Sequence, residues 1–243
     1  MRLIEFSLDL PYVENEESIA SIMKNSGCDR NEATRQDYES NWKWKRRKFS
    51  NQTGCMSMLF SRCFGYIDTK DTRKIIVECV PKTSGKITKT FPDGFCEVQV
   101  QFDHDSFVSH DALDKKTIAI ETLMEGIRAV SAEKNWDIEP FEKTYAKIME
   151  AEYKNEWIWK KPVKSPDKKS VAHVLVQHVV ESIDVSIVIC DKRGEEIVRE
   201  RVISEMPDER VFWENLGNVL WTDNQKVTLV NKNQEAKWSV CLF

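Results

Sequence analysis

The segment IDVSIVIC, residues 183–190, carries isoleucine or valine at every second position, with Asp184 and Ser186 between them. Successive side chains of a β-strand point to opposite faces, so this alternation predicts a strand with one face in a core. Similar runs follow at short intervals through the rest of the chain, at residues 171–180, 196–204, 218–222, 226–230 and 237–242. Closely spaced strands joined by polar turns predict an antiparallel β meander over residues 171–243.

Residues 1–159 combine strand-like and helical patterns. The segment FCEVQVQF at 95–102 alternates like a half-exposed antiparallel strand. Other strand-like runs lie at residues 2–10, 56–67, 74–80 and 86–91. Apolar residues then recur at helical spacing between Ile120 and Val130, and a second helix begins near Pro140. These patterns predict an antiparallel sheet covered by a helical hairpin and, together with the meander, an α+β fold.

A stretch rich in lysine and proline separates the two patterns. Residues 160–170 contain Pro162, Pro166 and five lysines, a composition typical of a linker or a long loop. The sequence therefore predicts an α+β module at 1–159, a linker at 160–170 and a β module at 171–243.

The composition excludes several classes of function. The 243 residues include 36 basic and 40 acidic side chains, and the resulting charge of −4 lacks the basic excess of dedicated nucleic-acid-binding proteins. Every glycine is at least nine positions from the next, whereas phosphate-binding loops need glycines about two to five positions apart. With four histidines and no catalytic motif, the sequence predicts no catalytic residue and no cofactor, and favours a binding protein over an enzyme.

The spacing of the cysteines and of the charged residues indicates the cellular compartment of the protein. The seven cysteines are odd in number and at least eight positions apart, which argues against a disulfide framework and excludes C-x-x-C motifs. Glu5 interrupts any apolar leader, and the longest uncharged stretch, near residues 170–180, is shorter than the ~20 residues of a spanning helix. These features predict a cytoplasmic protein without a membrane segment.

Aromatic and acidic residues near and within the C-terminal module suggest a docking surface for another protein. The predicted surface comprises Trp157, Trp159, Glu209, Trp213 and Glu214. Residues 171–243 carry a net charge of −4, so charge complementarity favours a basic partner. Bacterial immunity proteins and antitoxins are often acidic and without catalytic motifs, so we expect a protein-binding module that neutralises a cationic partner. The sequence does not indicate an oligomeric state.

A basic and aromatic stretch at residues 42–49 is a second candidate site. It interleaves cations with aromatic rings, in the order Trp42, Lys43, Trp44, Lys45, Arg46, Arg47, Lys48 and Phe49. Cations attract phosphates and aromatic rings stack on bases, so the stretch supports nucleic-acid binding as an alternative function. In a β-strand the two tryptophans would share one face and the lysines the other, a pattern that is also typical of an edge strand.

A third candidate site is a junction rich in aspartate and histidine. It comprises Asp103, His104, Asp105, His110 and Asp111. Imidazole and carboxylate groups are ligands of divalent metals, so a metal-dependent hydrolase is a further alternative. The same carboxylates also suit the start of a helix, where the helix dipole favours negative charge.

Overall fold

A computed structural model describes residues 1–84 and 88–242 of the chain. Its contacts divide the chain into two compact units, Met1–Tyr153 (unit 1) and Lys154–Phe243 (unit 2). Helices and strands both contribute extensively, which confirms the predicted α+β class. Within the described ranges, no helix combines the length and the apolar character needed to cross a lipid bilayer.

The described helices of unit 1 form two groups of three in the sequence. They are α1 (Glu16–Ser26), α2 (Arg30–Asp37), α3 (Lys43–Phe64), α4 (His104–Ser109), α5 (Ala112–Lys134) and α6 (Glu139–Glu150). A π-helical segment, Tyr38–Trp42, connects α2 to α3 without a break. The helices α5 and α6 form the predicted hairpin, with Pro140 in the first turn of α6.

The described strands of unit 1 form a mixed four-stranded sheet and a separate two-stranded one. They are β1 (Arg2–Leu3), β2 (Glu5–Asp9), β3 (Ile67–Asp68), β4 (Lys74–Val80), β5 (Thr88–Thr90) and β6 (Phe95–Gln101). The main sheet has the order β2-β4-β6-β5, and β1 pairs separately with β3. β2, β4 and β6 are parallel, whereas β5 is antiparallel to β6. The connection through α1, α2 and α3 provides the long crossover that parallel pairing of β2 and β4 requires.

One face of this sheet carries the core of unit 1. Phe6, Val77 and Val98 are buried on that face, and α5 packs closely against it. A β-carbon at Gly126 of α5 would lie 2.4 Å from Cγ2 of Val77, so glycine permits this close approach. The alternation of β6 was therefore read correctly as one buried and one partly exposed face, although its neighbour β4 runs parallel to it.

Two strands predicted in unit 1 differ from the structure in type or extent. The predicted strand at 56–67 is wrong, because residues up to Phe64 belong to α3. Cys55, Met56, Leu59 and Phe60 are buried at helical spacing, and short apolar runs do not distinguish a buried strand from a buried helix. The predicted strand at 86–91 corresponds in its described part to β5, while residues 85–87 lie outside the described residues.

Unit 2 consists of two antiparallel sheets that share one core. Its strands are β7 (Glu156–Lys164), β8 (Ser170–His178), β9 (Ile183–Asp191), β10 (Glu196–Glu205), β11 (Asn218–Trp221), β12 (Lys226–Val230) and β13 (Lys237–Cys241). The orders β10-β9-β8-β7 and β11-β12-β13 match the predicted meander. A short helix, α7 (Glu209–Phe212), and a 3₁₀ turn at Trp213–Asn215 precede β11 and were not predicted. Phe212 inserts into the core that both sheets enclose.

The predicted linker at 160–170 lies inside unit 2. Residues 160–164 belong to β7, which pairs with β8 and forms the edge of its sheet. The register shifts between Trp159 and Val163, and this irregularity contains Pro162, which has no N–H to donate. Lysine, proline and a bulge are typical of edge strands, so the composition that suggested a linker has a different physical cause here. The two units meet in the sequence between residues 153 and 154.

Candidate binding sites

Three tryptophans from two distant segments converge in unit 2. Trp157 and Trp159 lie in β7, and Trp213 lies in the turn after α7. The ring centre of Trp213 is 6.4 Å from that of Trp157 and 5.2 Å from that of Trp159. All three side chains are partly buried against the core of unit 2. We call these three residues the tryptophan cluster.

The local sequence explains how the cluster forms. Trp157 and Trp159 are two positions apart in a strand and therefore share a face, while Ile158 between them is 52% exposed. The indole Nε1 of Trp159 donates to the carbonyl oxygen of Gly217 at 3.4 Å, which connects β7 to the segment before β11. Burial of Phe212 fixes the neighbouring Trp213 beside β7.

The two glutamates of the predicted docking surface differ in position. Glu209 is 6% exposed, and its Oε1 lies 2.9 Å from Nδ1 of the fully buried His178. A neutral histidine would donate this hydrogen bond from Nδ1, and its Nε2 has no hydrogen-bond partner in the described chain. Glu214 is exposed and lies 3.4 Å from Nζ of Lys232. The surface therefore retains Glu214, whereas Glu209 belongs to the interior.

The unit boundary also changes the charge of the predicted surface. Because β7 belongs to unit 2, the lysines of residues 154–169 must be counted with the acidic residues of 171–243. Residues 154–243 contain 14 basic and 14 acidic side chains, so their charges balance. Net charge therefore gives no preference for a basic partner.

The basic and aromatic stretch in unit 1 is helical and not an edge strand. Trp42 ends the π-helical segment and residues 43–49 form the first turns of α3. Lys43 donates to Glu39 at 2.6 Å, and Arg46 forms two hydrogen bonds with Asp9, at 2.7 and 2.6 Å. Two of the five cations are thus neutralised by close carboxylates.

A buried carboxylate holds the segment before this stretch. Asp37 is 2% exposed and accepts hydrogen bonds from Tyr12, Ser18 and Asn41. Burial alone would raise the pKa of Asp37, but these hydrogen bonds outweigh it and lower the pKa. Burial and the Asp37 carboxylate raise the pKa of Tyr12 to about 12. The network ties α1, the loop after β2 and the π-helical segment together, and it was not predicted from the sequence.

One side of the stretch faces a cleft with two lobes, which we call the α3–α4 cleft. The larger lobe has a volume of about 420 Å³ and lies at the carboxyl ends of the parallel strands β2, β4 and β6. The smaller lobe has a volume of about 320 Å³ and lies between Trp44, Lys48 and Val108. Ligands of open α/β sheets commonly bind outside the carboxyl ends of the strands.

Three residues line both lobes of the cleft, and they come from both of the alternative sites. They are Lys45 from α3 and His104 and Asp105 from α4. Nζ of Lys45 is 3.6 Å from the carboxylate of Asp105, and Nδ1 of His104 is 3.4 Å from the same carboxylate. Burial lowers the pKa of His104, and the charge of Lys45 lowers it further. The hydrogen bond with His104 and the charge of Lys45 lower the pKa of Asp105.

The predicted metal ligands have other partners. Asp103 accepts from the backbone N–H of Ser106 and caps α4, and Asp111 accepts from Leu113 and Asp114 and caps α5. His110 lies 3.2 Å from the Asp114 carboxylate. Among residues 1–84 and 88–242, no group of three histidine, cysteine or carboxylate side chains is placed to hold a metal ion. Two of the carboxylates that suggested a metal site act as helix caps.

Comparison with known proteins gives no assignment. No family model, no curated protein sequence and no solved structure matches the chain.

Proposed function

We propose that the protein binds another protein through the tryptophan cluster of unit 2. The observation that supports this is the convergence of Trp157, Trp159 and Trp213, although Trp213 follows Trp159 by 54 positions. The sequence singled out all three as partner-binding residues separately, on composition alone. Because the three side chains form one partly exposed aromatic cluster, a partner could contact all of them at once.

Partly exposed tryptophans are effective anchors in protein interfaces. A tryptophan presents a large apolar area and loses little rotamer entropy on binding, so binding hot spots are enriched in this residue. The cluster lies at the edge strand β7, and Glu214 lies beside it as a charged rim residue. An apolar centre with a charged rim is the usual arrangement of a protein interface.

The partner expected here presents an apolar anchor to the cluster. Because the charges of unit 2 balance, its net charge does not require this partner to be cationic. Neutralisation of a toxin-like partner, as immunity proteins and antitoxins perform, remains one form of the proposed function. Neutralisation would be measured as a loss of the partner's activity when the two purified proteins are mixed.

Affinity capture with the full chain tests the proposal. Wild-type protein, Trp213→Ser and the control Trp136→Ser would be used as bait in extracts of the cells that produce the protein. Trp136 is a partly buried tryptophan of unit 1 and matches the chemistry of the change. We expect one partner to be retained by the wild type and the control, and to bind the Trp213 variant about 10- to 30-fold more weakly.

Two outcomes would contradict the proposal. One is a partner that binds the Trp213→Ser protein as tightly as the wild type, as measured with purified components. The other is the absence of any partner enriched over a bait-free control. Thermal unfolding of each variant would show whether a loss of binding reflects a loss of fold, since Trp213 contacts Phe212.

A further inference from the structure

The five cations of residues 43–48 differ in their partners and in whether they line the α3–α4 cleft. Lys43 and Arg46 each have a carboxylate within 2.7 Å and do not line either lobe. Lys48 lines the smaller lobe and has no ion-pair partner among the described residues. Arg47 also has no ion-pair partner among the described residues, but it lines neither lobe. Lys48 is therefore the cation of the stretch that both lacks a close carboxylate and faces the cleft.

Lys45 has an anion nearby, but that anion is easily replaced. The Asp105 side chain is 93% exposed and lies 3.6 Å from Nζ of Lys45, whereas the Lys45 side chain is only 25% exposed. An ion pair with one fully solvated partner contributes little stability. A phosphate carries more charge than a carboxylate, so it would bind better between Lys45 and Lys48 than Asp105 does.

The smaller lobe also offers a stacking surface for a planar ring. Trp44 is 60% exposed on the outer face of α3. It lines this lobe together with Val108, which is 40% exposed. The larger lobe is bordered by Trp42, whose Nε1 donates to the carbonyl oxygen of Leu10 at 3.2 Å and whose ring is thereby fixed. Aromatic side chains beside a cationic groove are the recurring means of holding unpaired bases.

The volume of the cleft limits what it can hold. Lobes of about 420 and 320 Å³ lie within the ~300–1,000 Å³ range of small-molecule sites. Each lobe has room for a single ring system and not for a duplex. A base and a phosphate joined by a sugar have the size and the chemistry that Trp44, Lys45 and Lys48 would accept.

We propose that the α3–α4 cleft is a nucleotide-binding site, in which a base stacks on Trp44 and its phosphate lies between Lys45 and Lys48. The nucleotide is either a free mononucleotide or one unit of a single strand, since both offer the same base and phosphate. His104 borders both lobes and is positioned to donate a hydrogen bond to the phosphate once Asp105 is displaced. This site is independent of the tryptophan cluster and of the proposed protein partner.

Titration calorimetry of the full chain tests the proposal with defined probes. The probes are UMP, AMP, a 12-residue oligo(dT), ribose 5-phosphate and inorganic phosphate. The variants are Trp44→Ala and Lys48→Glu, and the matched control is Lys43→Glu, on the same helix but outside the cleft. Trp44 and Lys48 are both exposed, so these changes leave the fold intact.

We expect nucleotide binding that weakens about 5- to 150-fold in Trp44→Ala, the range that corresponds to loss of one base–aromatic stack. Lys48→Glu should weaken binding at least tenfold and reduce the salt dependence by about one phosphate contact, whereas Lys43→Glu should change affinity less than about threefold. Ribose 5-phosphate and inorganic phosphate should bind more weakly than the nucleotides, because they lack the base.

The probes distinguish the two sources of the nucleotide. Equal affinity for UMP or AMP and for oligo(dT) indicates a free mononucleotide, whereas preference for the oligonucleotide indicates a single strand. Failure of all nucleotide probes to bind at millimolar concentration would overturn the proposal. Nucleotide binding that is equally tight in the wild type, Trp44→Ala and Lys48→Glu would overturn it too.

Discussion

Asp37 shows how a single residue can determine the geometry of a neighbouring site. Its carboxylate is removed from water and is satisfied by donors from three different segments, Tyr12, Ser18 and Asn41. The π-helical segment that contains Asn41 ends at Trp42, which borders the larger lobe of the α3–α4 cleft. The buried carboxylate therefore fixes the point from which α3 begins.

We expect Asp37→Asn to lower the free energy of unfolding by about 1–3 kcal/mol near pH 7, because an amide turns an N–H group towards donors that need an acceptor. The pKa of Asp37 is lower in the folded state than its ordinary value, so its carboxylate stabilises the fold above about pH 4. This contribution is lost as the pH falls through the lowered pKa. Denaturant unfolding at about pH 6 and about pH 3 should show a smaller difference between variant and wild type at the lower pH. A difference that grows on acidification would contradict this account.

The elements of this chain differ in how far the sequence reveals them. The alternation at 183–190 and the helical stripe between Ile120 and Val130 were sufficient, because the buried apolar residues of each element recur with the period of that element. The burial of Ser186 and Val188 on the other face of β9 did not follow from the alternation. α3 was misread in part because its apolar residues form a short run that is also compatible with a strand. The second half of β7 was misread because lysines and a proline occur in linkers as well as in edge strands.

The residues of the candidate sites could be predicted from the sequence, but their proximity in the folded chain could not. Trp44 and Lys45 were singled out for their composition, and His104 and Asp105 for their chemistry, but nothing in the sequence indicated that they border one cleft. Such proximity depends on how α3 and α4 pack, which is a tertiary property. For the same reason the burial of Glu209 against His178, 31 positions earlier, could not be foreseen.

The assignment of β7 to unit 2 leads to a prediction about fragments. The core of unit 2 is formed by its own residues, and Trp157 and Trp159 of β7 pack against it. We expect a fragment of residues 154–243 to fold cooperatively, and a fragment of residues 171–243, which lacks β7, to be unfolded or markedly less stable. Heat denaturation followed by circular dichroism would compare the two. Equal stability of both fragments would show that β7 contributes nothing to unit 2.

At the scale of the whole molecule, the chain carries two candidate surfaces of different chemistry on two compact units. Unit 1 offers the α3–α4 cleft, lined in its smaller lobe by Trp44, Lys45 and Lys48, and unit 2 offers the aromatic cluster around Trp213. Each surface lies within one unit, so the binding of a nucleotide and the binding of a protein can be tested separately. A variant of one surface serves as a control for the other.

The central claim is that the tryptophan cluster is a binding surface and not only part of the packing of unit 2. Hydroxyl-radical footprinting of the full chain, alone and with its captured partner, measures the solvent access of each tryptophan side chain. We expect oxidation of Trp157, Trp159 and Trp213 to fall together in the complex, while oxidation of Trp136 in unit 1 stays the same. Unchanged oxidation of the three cluster residues in a complex that demonstrably forms would contradict the account.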